Sequence, residues 1–218
     1  YVASYYQHRV FRIKLSTGAC DWNSNHIASP RSVAISKNNI LYVGNGRGLY
    51  VRNLSTNTNI SCSVSGYFRS AYGTAVDPSA SNIYLHNYRY LYRFAIQSNH
   101  CPNKNYASRT YRSSWQYGFG MRFHPTDDSI LYATSYYEHK LYKFTLSAQK
   151  NVFSSIQSVG RCCNGSSSAS NVRFYYPAGV AVDTTNNRVF VASYHKHSIQ
   201  AFDLNLGFLK EFGGSAGT

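Results

Sequence analysis

The sequence has few acidic residues. It contains 8 Asp and Glu against 22 Lys and Arg, which gives a formal net charge of +14 at pH 7. A surface this basic favours polyanionic partners, and nucleic acid, acidic glycan and anionic membrane all qualify. The basic residues are spread along the chain without a long block, which argues against a disordered basic tail. The alternative is a generally cationic surface that keeps the protein in solution.

Long apolar runs are lacking as well. No stretch approaches the roughly 18 residues of a membrane-spanning helix, and no charged start followed by an apolar run marks a signal peptide. Only one Met and five Pro occur, whereas 21 Tyr are present. This composition favours strands, so an all-β fold is predicted. The chain begins inside a strand-like run, Tyr1-Val2-Ala3-Ser4, which indicates a removed N-terminal segment or an incomplete sequence.

Groups that support catalysis are scarce. The one close carboxylate pair, Asp127 and Asp128, follows Pro125-Thr126 and is typical of a turn. No G-x-S-x-G elbow, phosphate-binding loop or C-x-x-C zinc spacing occurs. We therefore predict no catalytic residue, no metal site and no cofactor.

Cysteines and glycosylation sequons favour an oxidising compartment. The disulfide candidates are Cys20, Cys62, Cys101, Cys162 and Cys163. Adjacent cysteines seldom bond to each other without strain, so the Cys162-Cys163 pair is expected to bond to distant partners. The odd thiol is left unpaired or bridges to another chain. Three N-x-S/T sequons make Asn53, Asn59 and Asn164 glycosylation candidates. Together they predict an extracellular or secreted protein.

The strongest signal is an internal repeat. Four segments read as a first strand closed by a polar residue: 32–36, 73–77, 120–124 and 179–183. A second apolar run follows each of them, and the start of the chain supplies a fifth copy, so second strands are predicted at 1–3, 40–43, 83–85, 130–133 and 189–192. A third strand then alternates apolar and polar residues, as in Leu141–Leu146, and a weaker fourth strand is clearest at 208–212.

Short antiparallel strands repeated in this way are the sequence form of propeller blades. We predict a single β-propeller domain over 1–218, with repeats at about 1–28, 29–66, 67–112, 113–172 and 173–218. The first repeat lacks its inner strand. Either residues outside this sequence supply that strand, in an array of perhaps six blades, or five blades close imperfectly.

The last copy carries a family resemblance. Tyr176-Pro177-Ala178-Gly179-Val180-Ala181-Val182-Asp183, continuing through Val191–Phe202 to Gly207–Gly213, resembles an NHL repeat along its whole length. The resemblance implies a β-propeller fold. One position departs from the family, which usually has an acidic residue where this chain has Ser4, Asn45, Asn87, Ser135 and Ser193. A role for that acid therefore cannot be transferred.

Three similar turns follow second strands and carry the candidate ligand-binding residues. These residues are Tyr5, His8, Tyr136, His139, Tyr194, His195 and His197. The turns belong to the first, fourth and fifth repeats, which are neighbours if a ring closes, and we expect them to be partly exposed on one face. Tyrosine and histidine suit a glycan or an acidic ligand. The alternative is structural, because NHL repeats commonly have a similar polar turn here.

We therefore predict a non-catalytic extracellular binding module. Its expected partners are a glycan or acidic polymer recognised as by a lectin, with acidic or galactose-type sugars favoured, or another extracellular protein. Disulfide-linked or repeat-mediated assembly is consistent with the cysteines and repeats. Single-stranded RNA is the rival ligand, because Arg and Tyr interleave in 88–93 and 109–112. A metal-dependent lyase or hydrolase is a further alternative, although equivalent positions on successive blades usually lie too far apart to share one ion.

Overall fold

The structure is a computed structural model that describes residues 1–62, 70–88, 90–103, 108–112, 118–149, 152–161 and 174–214, with the backbone alone described at 108–112. Within these ranges it consists of antiparallel strands, with one 3-10 turn at Tyr194–Lys196. The all-β prediction is confirmed. No helix in the described ranges is long and apolar enough to cross a membrane.

The strands form five antiparallel sheets, which are blades of a β-propeller. The chain also divides into two compact units, Tyr1–Arg109 and Thr110–Thr218. Blades 1 to 3 lie in the first unit and blades 4 and 5 in the second, although the outer strand of blade 3 runs across the boundary. That the whole chain forms one domain stays a prediction.

Blade 1 has three strands and blades 2 and 3 have four each. Blade 1 comprises β1 (Val2–Ser4), β2 (Arg9–Ile13) and β3 (Cys20–Asn23). Blade 2 comprises β4 (Pro30–Ile35), β5 (Ile40–Asn45), β6 (Gly48–Asn53) and β7 (Thr58–Ile60). Blade 3 comprises β8 (Gly73–Val76), β9 (Asn82–His86), β10 (Tyr90–Ala95) and β11 (Ser108–Arg112).

Blades 4 and 5 each have four strands in chain order across the sheet. Blade 4 comprises β12 (Met121–His124), β13 (Asp127–Ser135), β14 (Lys140–Leu146) and β15 (Phe153–Val159). Blade 5 comprises β16 (Pro177–Asp183), β17 (Arg188–Ser193), β18 (Ser198–Asp203) and β19 (Phe208–Gly213). All five predicted second strands are confirmed; they are β1, β5, β9, β13 and β17.

Buried tyrosines connect neighbouring blades within each unit. Tyr42 of β5 donates its hydroxyl proton to the carbonyl of His100 at 3.0 Å, and Tyr132 of β13 donates to the carbonyl of Leu204 at 2.8 Å. Both acceptors lie between the third and fourth strands of the next blade. Burial raises the pKa of both phenols, that of Tyr132 to about 12, so they remain protonated donors. The high tyrosine content is thus partly structural.

The inner strands approach each other too closely for side chains at some positions. A Cβ atom on Gly120 would lie 2.5 Å from the carbonyl oxygen of Ala178 and 2.8 Å from the backbone nitrogen of Val180. Thr134 completes this contact by donating its hydroxyl proton to the same carbonyl of Ala178 at 3.1 Å. Blades 4 and 5 therefore meet backbone to backbone at their inner strands.

One disulfide joins blades 2 and 3. Cys62, two residues beyond β7, bonds to Cys101, which lies between β10 and β11, and the two are 39 residues apart in the chain. Cys20 lies exposed in outer strand β3 and forms no disulfide with another described cysteine. Cys20 lies in an outer strand, Cys62 lies just beyond one, and Cys101 lies between the third and fourth strands of its blade. Cys162 and Cys163 lie outside the described residues.

The sequons at the ends of β6 and β7 take part in local hydrogen bonds. The Asn53 side chain accepts hydrogen bonds from the backbone N–H groups of Ser55 and Thr56. Asn59 is exposed, and its side-chain oxygen accepts from the hydroxyl of Tyr50. Asn164 lies outside the described residues. Glycan attachment at any of the three stays a prediction.

Removing the disulfide should destabilise the first unit. In the chain-entropy account, opening a loop of 39 residues costs about 4 kcal/mol of unfolding free energy. We expect Cys101→Ser to lower the urea midpoint accordingly and Cys20→Ser to leave it nearly unchanged. Thiol counting by mass spectrometry should show Cys62 and Cys101 protected from alkylation in native protein. Alkylation of both without reductant would contradict the pairing.

A buried histidine should make stability depend on pH. His86 at the end of β9 is fully buried, and desolvation lowers its pKa to about 3. A base whose folded pKa lies below its unfolded value binds protons preferentially when unfolded, so its contribution is complete above about pH 6.5 and lost as the pH falls towards 3. Relative to wild type, His86→Leu should remove a slope of about 1.4 kcal/mol per pH unit between pH 6 and 4.

Urea unfolding at pH 7, 6, 5 and 4 measures this slope. His26→Leu, which removes an exposed imidazole from the same unit, is the control and should retain the wild-type slope. Equal slopes in wild type and His86→Leu would contradict the assignment.

Candidate functional site

The three similar turns end in the same backbone conformation. Each begins after a serine that ends the second strand, namely Ser4, Ser135 or Ser193. Each ends on a histidine in the left-handed region, with φ of 54° at His8, 56° at His139 and 51° at His197. Histidine tolerates this region better than most side chains. The repeated Ser-to-His spacing is therefore a feature of backbone geometry.

Two of these histidines bind the backbone of the next blade. His8 Nδ1 accepts a hydrogen bond from the N–H of Ser29 at 3.0 Å, and His139 Nδ1 accepts one from the N–H of Tyr176 at 3.1 Å. Ser29 and Tyr176 each precede a proline that begins an inner strand, and both have positive φ. The histidine thus fixes the point at which the chain enters the inner strand of the neighbouring blade.

His139 was predicted to be partly exposed, but the structure buries it. Only 8% of its surface is accessible, because the loop before β16 covers it, and desolvation lowers its pKa. The imidazole is therefore neutral near pH 7, and its Nδ1 lone pair remains available to the Tyr176 N–H. His8 is half-buried, whereas His195 and His197 are exposed.

The loop before β16 is held from several sides. Ser193 Oγ accepts a hydrogen bond from the N–H of Tyr175 at 2.8 Å and donates one to its carbonyl at 3.1 Å. The backbone N–H groups of Tyr194 and His195 donate to the carbonyls of Tyr176 and Tyr175 at 3.0 and 3.1 Å. With the His139 contact, these bonds fix the backbone of both tyrosines.

Three tyrosines stack in the second unit, and we call Tyr136, Tyr176 and Tyr175 the tyrosine column. The ring centroids of Tyr136 and Tyr176 are 4.4 Å apart with 23° between planes, and those of Tyr176 and Tyr175 are 4.7 Å apart with 24°. All three rings are half-buried. Tyr176 occupies the middle, so both of its ring faces are covered.

Further rings surround the column. Phe119 and Tyr137 pack edge-on against Tyr136 at 5.2 and 5.1 Å, and His195 lies 5.1 Å from Tyr175. Tyr194 packs edge-on against His195 at 4.7 Å. Tyr137 and Tyr194 are 50% and 63% exposed, so their faces are available to a ligand.

The electrostatics keep Tyr136 of the column uncharged. The pKa of Tyr136 is raised, chiefly by burial and further by the phenols of Tyr137, Tyr176, Tyr194 and Tyr175. Its hydroxyl therefore stays protonated at neutral pH and can donate a hydrogen bond. The arrangement offers apolar ring faces beside neutral donors and acceptors.

The structure brings four of the seven predicted residues together in the second unit, namely Tyr136, His139, Tyr194 and His195. Tyr5 and His8 lie in the first unit. Phe119, Tyr175 and Tyr176 are site residues that the sequence analysis did not name. The signal for Tyr175 and Tyr176 was the aromatic run Phe174-Tyr175-Tyr176 directly before a proline at an inner strand.

His197 belongs to a different part of blade 5. With Tyr194, Ile199 and Phe212 it lines an open cleft of about 450 Å³ on that blade. Ile199 is 46% exposed, whereas Leu141, at the equivalent position of blade 4, is fully buried against blade 5. The cleft therefore lies on the face of blade 5 that corresponds to the face of blade 4 packed against blade 5.

The structure also bears on the rival chemistries. Asp127 accepts hydrogen bonds from the N–H and hydroxyl of Ser129, which agrees with a turn role. Leu91 and Phe94 of β10 are buried, as expected for a third strand. Arg89 and the side chains of 109–112 are not described. No three metal-ligating side chains cluster among the described residues.

A family comparison identifies the repeat in blade 5. Residues 174–202 match the family described as the NHL repeat. The match begins at Phe174, continues through Tyr175 and Tyr176, and ends within β18. No curated protein sequence matches the chain.

Solved structures share the fold. An auxiliary nutrient binding protein from Bacteroides ovatus aligns over 92% of this chain and 51% of its own, with a TM-score of 0.69 and 13% identity. Hydrazine synthase from Kuenenia stuttgartiensis aligns over 90% of this chain and 70% of its own, with a TM-score of 0.63 and 12% identity.

A functionally unknown protein from Desulfotomaculum acetoxidans aligns over 93% of this chain with a TM-score of 0.62 and 15% identity, and the chain spans 62% of its length. These likenesses show the fold alone. The chain is a β-propeller protein with an NHL repeat, as the resemblance implied.

Removing the His139 acceptor should loosen the tyrosine column. His139→Phe keeps an aromatic ring but leaves the N–H of Tyr176 unsatisfied, which we expect to cost about 1–3 kcal/mol of unfolding free energy. His197→Phe is the matched control, because it places the same side chain at the same left-handed turn position, and no described residue donates a hydrogen bond to the His197 ring.

Urea unfolding and the near-ultraviolet circular dichroism of tyrosine measure the two effects. Only His139→Phe should change the tyrosine signal strongly. Equal effects of the two substitutions would mean that the left-handed backbone, and not the hydrogen bond, determines the cost.

Proposed function

We propose that the chain is a non-catalytic binding module that recognises carbohydrate at the tyrosine column. The observation that carries this proposal is the fixed, partly exposed stack of Tyr136, Tyr176 and Tyr175, flanked by the open rings of Tyr137 and Tyr194. Aromatic faces pack against the apolar faces of sugar rings, and phenolic hydroxyls exchange hydrogen bonds with sugar hydroxyls.

The loop is suited to binding because its shape is set before a ligand arrives. Hydrogen bonds to Ser193 and His139 already hold the backbone of Tyr175 and Tyr176. A tyrosine side chain loses little rotamer freedom on binding, and a preorganised loop reduces the entropic cost further. Galactose-type and acidic sugars are the preferred ligands, the latter because the net charge is +14.

An extracellular setting is part of the proposal. Support comes from the Cys62–Cys101 disulfide, since disulfides persist in oxidising compartments, and from the exposed sequon at Asn59. The Bacteroides ovatus protein of the same fold is described as an auxiliary nutrient binding protein, which supports a binding role without identifying the ligand.

A protein-binding role is the second candidate. It is favoured by the cleft of blade 5, where Ile199 and Phe212 are 46% and 43% exposed beside Tyr194 and His197. Exposed apolar side chains grouped in this way mark interaction surfaces. This role needs the cleft but not the tyrosine column. Tyr194 borders both, so Tyr137→Ala, which affects only the column, separates the two candidates.

The test is a glycan array with the wild-type protein, followed by calorimetry on the best neutral glycan. Tyr137→Ala and Tyr194→Ala should each weaken binding by about tenfold or more, as for loss of an aromatic contact. Tyr88→Ala, at a half-exposed turn tyrosine of the first unit, is the control and should have little effect. Stability should change by about 0.5 kcal/mol or less in all three.

A pull-down with single-stranded RNA at two salt concentrations tests the rival ligand. RNA bound through phosphate contacts should dissociate steeply as salt rises, whereas neutral glycan binding should not. Binding of RNA without any glycan would overturn the proposal. Binding of neither would favour the protein-binding role.

A further inference from the structure

Arg31 lies at an irregular point in the inner strand of blade 2. Pro30 pairs with Asn45 and Ser32 pairs with Gly44, so the register shifts at Arg31 and leaves this residue in a β-bulge. A bulge changes the direction of a side chain and is over-represented beside functional sites. In blade 5 the same shift occurs between Pro177 and Gly179, so blades 2 and 5 share the bulge.

The side chain of Arg31 lies against two tyrosines. Its guanidinium carbon is 4.0 Å from the ring centroid of Tyr72 and 5.4 Å from that of Tyr5. Both distances fall within the range of cation–π attraction. Tyr72 directly precedes β8 and Tyr5 lies in the first of the three similar turns, so residues of blades 1, 2 and 3 meet at this arginine.

One nitrogen of the Arg31 guanidinium lacks an acceptor in the described part of the chain. Its Nη1 atom is buried and has no hydrogen-bond partner there, and no described carboxylate forms an ion pair with this side chain. Two other arginines of the same unit do have such partners: Arg12 pairs with Asp21 at 2.7 Å, and Arg9 donates to Asn23.

The fold does not require an arginine at this bulge. Blade 5 has Ala178 at the equivalent position, and its strand pairing is the same. A buried guanidinium nitrogen without an acceptor is costly, and an acceptor supplied by a ligand removes that cost. The side chain therefore has a use that strand geometry does not explain.

We propose that Arg31, held between Tyr72 and Tyr5, binds an oxyanion of an acidic saccharide, either a carboxylate or a sulfate. Contact with two rings restricts the guanidinium, so less side-chain freedom is lost when its N–H groups bind two oxygens of one ligand group. The site lies wholly in the first unit and does not depend on the tyrosine column.

Calorimetry at fixed ionic strength tests the site with three probes: a uronic acid oligosaccharide, a sulfated oligosaccharide and a neutral oligosaccharide of the same length. Arg31→Gln should weaken binding of the preferred acidic probe by about tenfold or more, as for loss of a charged hydrogen-bonded pair. Arg31→Lys keeps the charge but loses the fork, so it should recover only part of the affinity.

Arg122→Gln is the control. Arg122 is an exposed strand arginine of the second unit, and the substitution removes the same charge. This substitution should change the affinity for the acidic probe by less than about twofold, since the buffer salt screens an exposed charge that lies outside the site. Circular dichroism and thermal unfolding should show that all variants are folded.

The probes separate the two oxyanion sources, because the probe whose affinity depends on Arg31 identifies the group that binds there. Equal losses in Arg31→Gln and Arg122→Gln would overturn the site, since binding would then follow net charge alone. Failure of both acidic probes to bind the wild type at millimolar concentration would also overturn it. If Tyr194→Ala abolishes binding of a neutral glycan and Arg31→Gln leaves it intact, that binding belongs to the tyrosine column. The outcome for Arg31 therefore does not decide the outcome for the tyrosine column.

Discussion

Burial of second strands such as β5 and β9 against neighbouring strands and blades is the interaction on which the rest of the structure depends. Every residue of β5 and of β9 is buried. Tyr42 and Tyr132 show how this burial is satisfied chemically, because each places a large ring in the core and donates its hydroxyl proton to a backbone carbonyl of the next blade. Exposed turn residues such as Tyr137 and Tyr194 therefore lie outside this core.

The position of the strands followed from the sequence because a period of apolar runs and turns is a local property. Local hydrogen bonds also explain why Ser or Asn can stand where the NHL family usually has an acidic residue. Asn45 accepts a hydrogen bond from the N–H of Arg47, and Asn87 accepts one from Tyr90, as turn residues do. Ser193 goes further, since it holds the backbone of Tyr175.

The burial of His139 and the roles of Tyr175 and Tyr176 did not follow in the same way. All three depend on the contact between the loop before β16 and the turn after β13. No periodic pattern in the sequence encodes that contact. His197 illustrates the point, because it ends an equivalent turn with a φ similar to that of His139 but remains exposed. The environment of a turn is set by the following blade and not by the turn itself.

The left-handed histidine has a consequence for how such a protein changes over time. In the turn that ends at His139, Ser135 closes the strand and the histidine fixes both the chain reversal and the next blade. The residues between them, including Tyr136 and Tyr137, are required neither to end the strand nor to hold the next blade. These residues can change while the serine and the histidine stay the same, so new ligand preferences can be acquired one residue at a time without altering the backbone of the blade.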